Sequence, residues 1–386
     1  MDVAVVGGGP AGLFVAARCA EAGLDVMVFE EHPDIGEPVH CTGVISLETA
    51  ELVKLTEDIV LKRVRRAHLW PPSGPAADIV WDGGWREQIL AIDRGALDRS
   101  LAAQAREAGA VIATGARVSS ISLGDDGVDV AAGERRVRAR ACVLACGVCY
   151  RFQRLLGLGL PGRVLHTAQL EVDAVAADGI DLHVGRRVAP DGFAWVVPVR
   201  RAGRDRLKIG VMASGDAGAC LDRLVARADL RQRLLAEPGT PVRRLVPVGH
   251  IGKTYAERLL VVGDAGGLTK PTTGGGIFYG LLTASIAADT LIEGFQQGRL
   301  DEGFLSGYER RWQERLGPEL RVASWFRYLL TRLSDTEIDA LVRALARHDL
   351  QALLHATARF NWHRDLILAL VRHRGLSGLL LRTLMR

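Results

Sequence analysis

The residues that decide the fold lie at the amino terminus, where positions 3–12 read VAVVGGGPAG. A run of apolar residues followed by Gly-x-Gly-x-x-Gly and then by an apolar helical pattern predicts a strand, a tight turn and a helix. In this unit Gly7 makes the turn, Gly9 lets a pyrophosphate approach the backbone, and Gly12 lets the helix lie close to the strand. The N-terminal amides of the helix then face the phosphates, so the stretch predicts a dinucleotide site.

The second strand supports the same interpretation. Residues 25–29, DVMVF, lead into Glu30, at the position where a carboxylate accepts hydrogen bonds from ribose hydroxyls. An acid there favours FAD or NAD over NADP. The same glycine spacing recurs at 157–162, but it follows a helical segment instead of a strand, so we interpret it as coincidental. Further residues expected to line the cofactor are Pro10, Ala11 and Glu31.

Residues far downstream complete the predicted site. Positions 258–264, RLLVVGD, predict a buried strand that breaks at Gly263, and a glycine-dense loop then leads into a long apolar helix from Phe278. Asp264 is placed to accept from a sugar-alcohol hydroxyl. The backbone around Gly274, Gly275 and Gly276 admits a flat ring. The alternative is a loop whose glycines only satisfy turns.

The composition narrows the class of protein. The 386 residues are 48% hydrophobic and 24% charged, which excludes disordered, fibrous and small disulfide-stapled proteins. A net charge of +4 is too small to indicate a nucleic-acid partner. The opening MDVAVV lacks the pattern of a secretory signal, and the apolar stretches 277–292 and 366–384 are both interrupted. We therefore expect a cytoplasmic protein without a membrane span.

The amino-terminal unit, together with positions 263–265 and 271–277, resembles FAD proteins of the p-hydroxybenzoate hydroxylase fold, and most closely the geranylgeranyl reductase family. Positions 190–198, PDGFAWVVP, are similar to that family's Pro-x-x-Tyr-x-Trp-x-Phe-Pro signature, with Phe193 in place of Tyr and Val197 in place of Phe. The resemblance implies FAD as the cofactor. It also implies a substrate-binding role for Phe193, Trp195 and Pro198.

Two shorter segments extend the resemblance. HCTG at 40–43 resembles the family's Cys-x-Gly step, and Arg94, Asp98 and Leu101 resemble its Arg-x-x-x-Asp-x-x-Leu helix, which lines the flavin. Cys146 stands where relatives carry the acid of an Asp-Gly step, so ferredoxin or another small electron donor is expected as an alternative to NAD(P)H. The resemblance adds to the cofactor site Cys41, Thr42, Gly43, Arg94, Val118 and Ile277.

The cysteines leave alternatives open. Cys142, Cys146 and Cys149 have the spacing of a radical-SAM iron–sulfur ligand set, but their place at the end of a buried strand favours a packing role. Cys41 lies in an irregular loop, where a role near the flavin and a packing role both fit. The histidines show no metal-ligand spacing, and we predict no metal.

The predicted fold is α/β, with a Rossmann-like FAD-binding domain, an inserted antiparallel β-sheet substrate domain and C-terminal helices. The FAD-binding domain is assigned to 1–65, 92–160 and 245–295, the substrate-binding domain to 66–91 and 161–244, and the helical region to 296–386. A hairpin at the edge of the inserted sheet carries Trp70, Trp81 and Trp85. The last helix either lies on an anionic membrane surface or packs on its own domain. Its basic residues are Arg372, Arg374, Arg382 and Arg386.

These features lead to one functional hypothesis, an FAD-dependent oxidoreductase that reduces double bonds of a geranylgeranyl chain carried by a lipid, quinone or diphosphate. An unactivated alkene needs a hydride on one carbon and a proton on the other, inside a dry apolar pocket. Cys41, or a water that it orders, is the expected proton donor. The alternative on the same fold is a flavin monooxygenase or halogenase. Two other classes are a radical-SAM protein and a non-catalytic flavin- or lipid-binding protein.

Overall fold

A computed structural model describes residues 1–80, 88–376 and 378. The strands in this part of the chain are β1 Val3–Val6, β2 Val26–Phe29, β3 Val44–Ser46, β4 Val60–Val64, β5 Arg66–Trp70, β6 Ala77–Val80, β7 Ile89–Ile92, β8 Val111–Ala113, β9 Val118–Leu123, β10 Val128–Ala132, β11 Arg135–Ala139, β12 Ala141–Leu144, β13 Arg163–Asp173, β14 Ile180–Val184, β15 Phe193–Arg201, β16 Arg204–Ala213, β17 Val242–Val248, β18 Tyr255–Ala256 and β19 Leu259–Val261. The α-helices are α1 Pro10–Glu21, α2 Arg94–Glu107, α3 Arg151–Leu155, α4 Ala217–Val225, α5 Ala228–Arg231, α6 Ile277–Gln297, α7 Glu302–Arg332, α8 Asp335–Leu345, α9 His348–Thr357 and α10 Arg364–Arg372.

The chain folds into two compact units, each built from three separate stretches. Unit 1 comprises Met1–Val39, Arg94–Arg163 and Pro247–Leu320. Unit 2 comprises His40–Asp93, Val164–Val246 and Arg321–Arg386. Trp81, Trp85, Arg382 and Arg386, which the sequence singled out, lie outside the described residues.

Unit 1 is built on a six-stranded sheet in the order β18-β19-β12-β1-β2-β8. The central strand β1 pairs in parallel with β2 and β12, and only the edge strand β18 runs antiparallel. Residues 3–6 are buried throughout because both faces of a parallel sheet are covered, here by α1 and by a small antiparallel sheet of β9, β10 and β11. The predicted strand, glycine turn, helix and second strand are confirmed in their predicted order.

Helix α6 crosses unit 1 and packs against α1. By length and composition alone it is long and apolar enough to span a membrane, but 61% of its apolar window is buried inside the protein. This burial is typical of a core helix.

Unit 2 is built on a seven-stranded sheet in the order β17-β13-β16-β15-β14-β5-β6. The pairs β13–β16, β16–β15, β15–β14 and β5–β6 are antiparallel, and β14 runs parallel to β5. One face packs against α4, and the other packs against a three-stranded sheet of β3, β7 and β4. The predicted hairpin that carries Trp70 is confirmed as β5 and β6 at the edge of this sheet. The described parts of both units therefore confirm the α/β class with an antiparallel sheet and C-terminal helices.

Candidate functional site

In the glycine turn after β1, two glycines are required by packing and the third leaves open space for a ligand. Gly7 has a φ of +113°, and a Cβ on it would overlap the carbonyl oxygen of Ala145. A Cβ on Gly12 would overlap the carbonyl oxygen of Gly7, so α1 can lie this close to β1 only with glycine there. A Cβ on Gly9 would meet nothing within 4 Å. Gly9 is thus the one of the three whose missing side chain leaves open space at the start of α1.

The N-terminus of α1 is suited to an anion. Pro10 occupies its first turn, where the missing amide hydrogen costs no helical hydrogen bond, and Ala11 follows with a small side chain. The first turn carries no acidic residue, and no side chain caps the helix at Gly9. The free amides and the helix dipole are therefore available to phosphate oxygens.

Glu30 lies at the end of β2, beside this turn. Its Oε2 accepts from the amide of Gly8 at 2.7 Å, and its Oε1 accepts from the amide of His32 at 2.9 Å. The His32 ring nitrogen Nδ1 lies 2.6 Å from the same Oε1. A carboxylate has about four acceptor positions, so Glu30 is held in place and still has capacity for a hydroxyl donor.

Arg94 and Asp98 form a bidentate pair on the first turns of α2. The Nε of Arg94 donates at 3.0 Å and its Nη2 at 2.7 Å to the two carboxylate oxygens. Burial raises the pKa of Asp98, the Arg94 guanidinium opposes this shift, and the charge of Glu30 adds to it. The predicted Arg-x-x-x-Asp pattern thus places one half-buried guanidinium near the carboxylate at the glycine turn.

Asp264 lies in a 3-10 turn, Gly263–Gly266, that follows β19. Burial raises the pKa of its carboxyl, and Arg94 acts in the opposite direction. A Cβ on Gly276 would lie 2.5 Å from its Oδ1, so the carboxylate contacts the backbone at the start of α6. Asp264 and Arg94 are therefore near enough to interact, although 170 positions separate them in the sequence.

The loop before α6 is closed on itself. The amide of Gly274 donates to the Lys270 carbonyl at 2.8 Å, and the amide of Lys270 donates to the Gly275 carbonyl at 3.0 Å. The helix begins at Ile277, one residue before the sequence predicted, and no acidic residue lies in its first turn. A second helix N-terminus in unit 1 therefore has no acidic residue in its own first turn, and the carboxylate that contacts its start is that of Asp264.

Two of the expected cofactor residues lie differently from the others. Glu31 is half-exposed, and its carboxylate is 3.4 Å from Nε of Arg117. Val118 begins β9, and its side chain is buried in the core of unit 1.

The segment after β12 supports the turn at Asp264. The sequence analysis did not predict this support. The Tyr150 hydroxyl donates to the Asp264 carbonyl at 2.9 Å, and the Gln153 amide donates to the Ala265 carbonyl at 2.9 Å. Burial raises the pKa of Cys146 to about 12, which is typical of an inert packing thiol. Within the described residues, no group of three or more His, Cys, Asp or Glu side chains forms a candidate metal site.

In unit 2, the Cys41–Gly43 segment is fastened to the seven-stranded sheet. Cys41 Sγ accepts from the amide of Gly43 at 3.3 Å, and the Thr42 hydroxyl donates to Oε1 of Gln169 at 2.9 Å. Gly43 has a φ of +74°, and a Cβ there would lie 2.5 Å from the Ile92 carbonyl oxygen. The segment therefore has a fixed conformation that requires glycine at its third position.

Lys208, which the sequence analysis did not select, anchors the same segment. Its side chain is 5% exposed, and its Nζ donates to the Thr42 carbonyl at 2.8 Å and to the Ile92 carbonyl at 3.1 Å. Burial lowers the pKa of this ammonium, while the charges of Glu171 and of a Cys41 thiolate would raise it. A signal was present, since only five of the 49 basic residues are lysines and this one lies in the apolar strand β16.

Phe193 and Trp195 lie together, but Pro198 does not. The two rings are on one face of β15 with centroids 5.6 Å apart, and Trp195 lies over Gly210 of the neighbouring strand. A Cβ on Gly210 would overlap the indole. Pro198 is an odd number of residues from both and so points to the opposite face. Pro198 therefore lies apart from the two aromatic rings.

The indole nitrogen of Trp195 is buried and finds no hydrogen-bond acceptor among the described residues. An unpaired buried donor costs about 1–3 kcal/mol. It marks this face of β15 as a place where a polar ligand atom or a water is favourable.

Comparisons with known proteins agree with this architecture. Over residues 2–348 the sequence matches the family described as lycopene cyclase protein. Digeranylgeranylglycerophospholipid reductase 2 of Methanothermobacter thermautotrophicus is 34% identical over 378 residues, which cover 91% of this chain and 93% of that protein.

Two solved structures show the same fold. A geranylgeranyl bacteriochlorophyll reductase-like protein from Thermoplasma acidophilum superposes with a TM-score of 0.86 at 23% identity, over 100% of this chain and 98% of that one. A variant of halogenase PltM, solved in complex with FAD, superposes with a TM-score of 0.69 at 15% identity, over 97% of this chain and 87% of that one. At these identities the likeness concerns the fold alone.

Proposed function

The chain belongs to the geranylgeranyl reductase family of flavoproteins, and on this premise we propose that it reduces carbon–carbon double bonds of a geranylgeranyl lipid with FAD as its cofactor. The structural observation that carries the proposal is a pair of helix N-termini in unit 1, those of α1 and α6. Each follows a glycine loop, and each has a carboxylate nearby, Glu30 or Asp264. Such a pair suits a ligand with phosphates and sugar hydroxyls.

The residues of unit 1 fit FAD. The open space at Gly9 and the amides of α1 suit the pyrophosphate, and Glu30 retains acceptor capacity for ribose hydroxyls. Asp264 is a candidate acceptor for the sugar-alcohol chain, and Arg94, which is paired with Asp98, is close enough to oppose the rise in the pKa of Asp264. We assign these five residues to cofactor binding.

FAD, when bound and reduced, supplies a hydride to one carbon of an alkene. The chain must then hold a proton for the other carbon and exclude water. Cys41 holds an exchangeable proton at Sγ in a segment fixed by Gly43, Thr42 and Lys208. Phe193 and Trp195 provide an apolar wall on the same sheet to which that segment is fastened. We propose Cys41 as the proton donor and the two aromatic residues as part of the substrate pocket.

The proposal is tested with chemically reduced protein under anaerobic conditions. Addition of a geranylgeranyl phospholipid should reoxidise the flavin, and the product should gain two hydrogens per double bond. A flavin that stays reduced until oxygen is admitted, together with a hydroxylated or halogenated product, would replace this function with the oxygen-dependent alternative.

Cys41→Ala separates the donor role from cofactor binding. We expect turnover to fall at least tenfold with the FAD content unchanged, because proton delivery contributes on the order of 10²–10⁴-fold to such reactions. Cys149→Ala is the matched control, since this cysteine is exposed and lies in unit 1. Equal turnover in the two variants would remove Cys41 from the mechanism.

The environment of Cys146 bears on the physiological electron donor. Cys146 has no charge at neutral pH because burial raises its pKa to about 12, so it does not replace the acid that relatives carry. We propose a ferredoxin-type protein over NADPH. Comparing the rates of flavin reduction by NADPH and by reduced ferredoxin tests this, and faster reduction by NADPH would refute it.

A further inference from the structure

The carboxyl-terminal half of α7 presents an exposed face of arginine and aromatic side chains. Arg321, Trp325, Tyr328 and Arg332 follow one another at spacings of four, three and four residues, which places them on one side of the helix. Trp325 is 37% exposed and Tyr328 is 54% exposed. We call these four residues the aromatic stripe.

The opposite side of the same helix is buried. Ala323 and Arg327 lie on that side and are at most 7% exposed, and they fix the rotation of the helix on unit 2. The exposure of Trp325 and Tyr328 is therefore a consequence of how the helix packs, because the buried residues leave no other face for them. Two large aromatic residues held in solvent on one helix face indicate an interaction surface.

Arginine side chains lie beside Tyr328 and at the end of the stripe. The Arg332 guanidinium lies 5.3 Å from the centroid of the Tyr328 ring, and its Nη1 donates to the Tyr328 hydroxyl at 2.6 Å. Arg186 lies at the end of the stripe, where its Nη2 donates to the Thr331 carbonyl at 2.8 Å. The neighbouring Arg187 side chain is 90% exposed. Four arginines thus border or belong to the stripe.

The acids nearby are already engaged. Asp335 is 19% exposed, and its carboxylate accepts from the amide of Arg186 at 2.6 Å and lies 3.5 Å from Arg187. Glu337 caps the start of α8 by accepting from the amide and the hydroxyl of Ser334. The four arginines outnumber these two carboxylates, so the surface has a net positive charge.

We infer that the aromatic stripe docks the protein on an anionic lipid bilayer. Tryptophan and tyrosine prefer the boundary between the acyl chains and water, and arginines interact with anionic headgroups. The choice of a bilayer over a protein partner rests on the proposed function, because a geranylgeranyl phospholipid is itself a membrane component. Docking is peripheral, since two aromatic rings give a small apolar area and the charges supply the rest.

The test is partition of the FAD-loaded protein onto sedimentable vesicles. Vesicles of phosphatidylglycerol and phosphatidylcholine should bind it, and pure phosphatidylcholine should bind it more weakly. Each arginine near the surface contributes a factor of about five to partition. Arg321→Gln together with Arg187→Gln should therefore lower binding to the anionic vesicles about 25-fold, and added salt should lower the wild-type binding in the same direction.

The aromatic contribution is tested with Trp325→Ser and Tyr328→Ser combined. We expect binding to fall at least tenfold, whereas Leu235→Ser should leave it unchanged, because Leu235 is 68% exposed in unit 2 but outside the stripe. Turnover of a detergent-solubilised lipid should be the same in all of these variants. If the wild type does not turn over the detergent-solubilised lipid, the proposed function is refuted. The vesicle result does not depend on this outcome.

Three outcomes would overturn the inference. The first is that the Trp325→Ser and Tyr328→Ser double variant binds anionic vesicles as well as the wild type does. The second is that the wild type binds neutral and anionic vesicles equally. The third is that sedimentation velocity shows a wild-type dimer that the double variant does not form, which would make the face an interface between two copies of the chain.

Discussion

Lys208→Met tests whether the Cys41–Gly43 segment depends on a buried cation. Methionine keeps most of the length and volume of the lysine side chain but cannot donate to the carbonyls of Thr42 and Ile92. Both carbonyls then lose their donor, and the third residue of the segment, Gly43, still sits against Ile92. We expect the segment to become less well fixed while the sheet beneath it remains folded.

The magnitude follows from the two hydrogen bonds. Each bond from a charged donor contributes about 1.5–3 kcal/mol, so their loss destabilises unit 2 by roughly 3–6 kcal/mol. Removing a buried ammonium also removes several kcal/mol of desolvation cost, which offsets part of this loss. The free energy of unfolding should therefore fall by about 1–3 kcal/mol. For a unit of about 200 residues, this corresponds to a Tm decrease of roughly 2–12 °C.

Turnover should respond more than stability does. A displacement of about 1 Å in a reacting group lowers rates on the order of 10²-fold, so we expect alkene reduction by Lys208→Met to fall between about tenfold and a hundredfold. The assay is anaerobic flavin reoxidation by the geranylgeranyl phospholipid, with urea unfolding measured on the same samples. Lys62→Met is the matched control, because Lys62 also donates to a backbone carbonyl, that of Ala177, in the same unit. If Lys208→Met and Lys62→Met have the same turnover and the same urea midpoint, the anchoring role is refuted.

Three further predictions use the same assays. Gly9→Ala should lower FAD affinity at least tenfold without changing apoprotein stability, whereas Gly12→Ala should lower both by overlapping the Gly7 carbonyl oxygen; FAD titration and urea unfolding of the apoprotein separate the two cases. Because burial lowers the pKa of Lys208 from 10.5, the unfolded chain binds more protons just below pH 10.5, so the stability of the wild type relative to Lys208→Met should rise as pH approaches 10.5; urea unfolding across that range measures this. Gly210→Ala should displace the Trp195 indole and raise KM for the lipid more than it lowers kcat, which steady-state kinetics would show.

The parts of the fold that were predictable are those whose signals are local. The β1–α1 unit was predicted because apolar residues, glycines and a helical period follow one another within twenty residues. The end of the strand before Asp264 was also predictable, because the apolar run breaks at a glycine followed by an acid. The role of Lys208 was not predictable, because its acceptor at Thr42 lies 166 positions away and no periodicity encodes that pairing.

The alternation of a strand divides one family signature between two faces. Phe193, Trp195 and Pro198 all belong to this signature, yet a strand alternates its side chains with a period of two. Pro198 pairs with Leu207, whose side chain is in the core beneath α4. Because of this alternation, the proline lies on the face of the strand opposite the aromatic residues, although the three are close in sequence.

The two Gly-x-Gly-x-x-Gly stretches show what glycine spacing does and does not establish. At the amino terminus, two of the three glycines are required by contacts within the protein itself, and only Gly9 leaves space for something else. In the second stretch, Gly157 donates its amide to the Arg154 carbonyl and ends α3, so the glycine serves a helix terminus. The spacing therefore reports turns in both cases. The evidence for a ligand comes from the features around the first stretch, namely an uncapped helix N-terminus, a carboxylate fixed by backbone amides and one glycine that no packing contact explains.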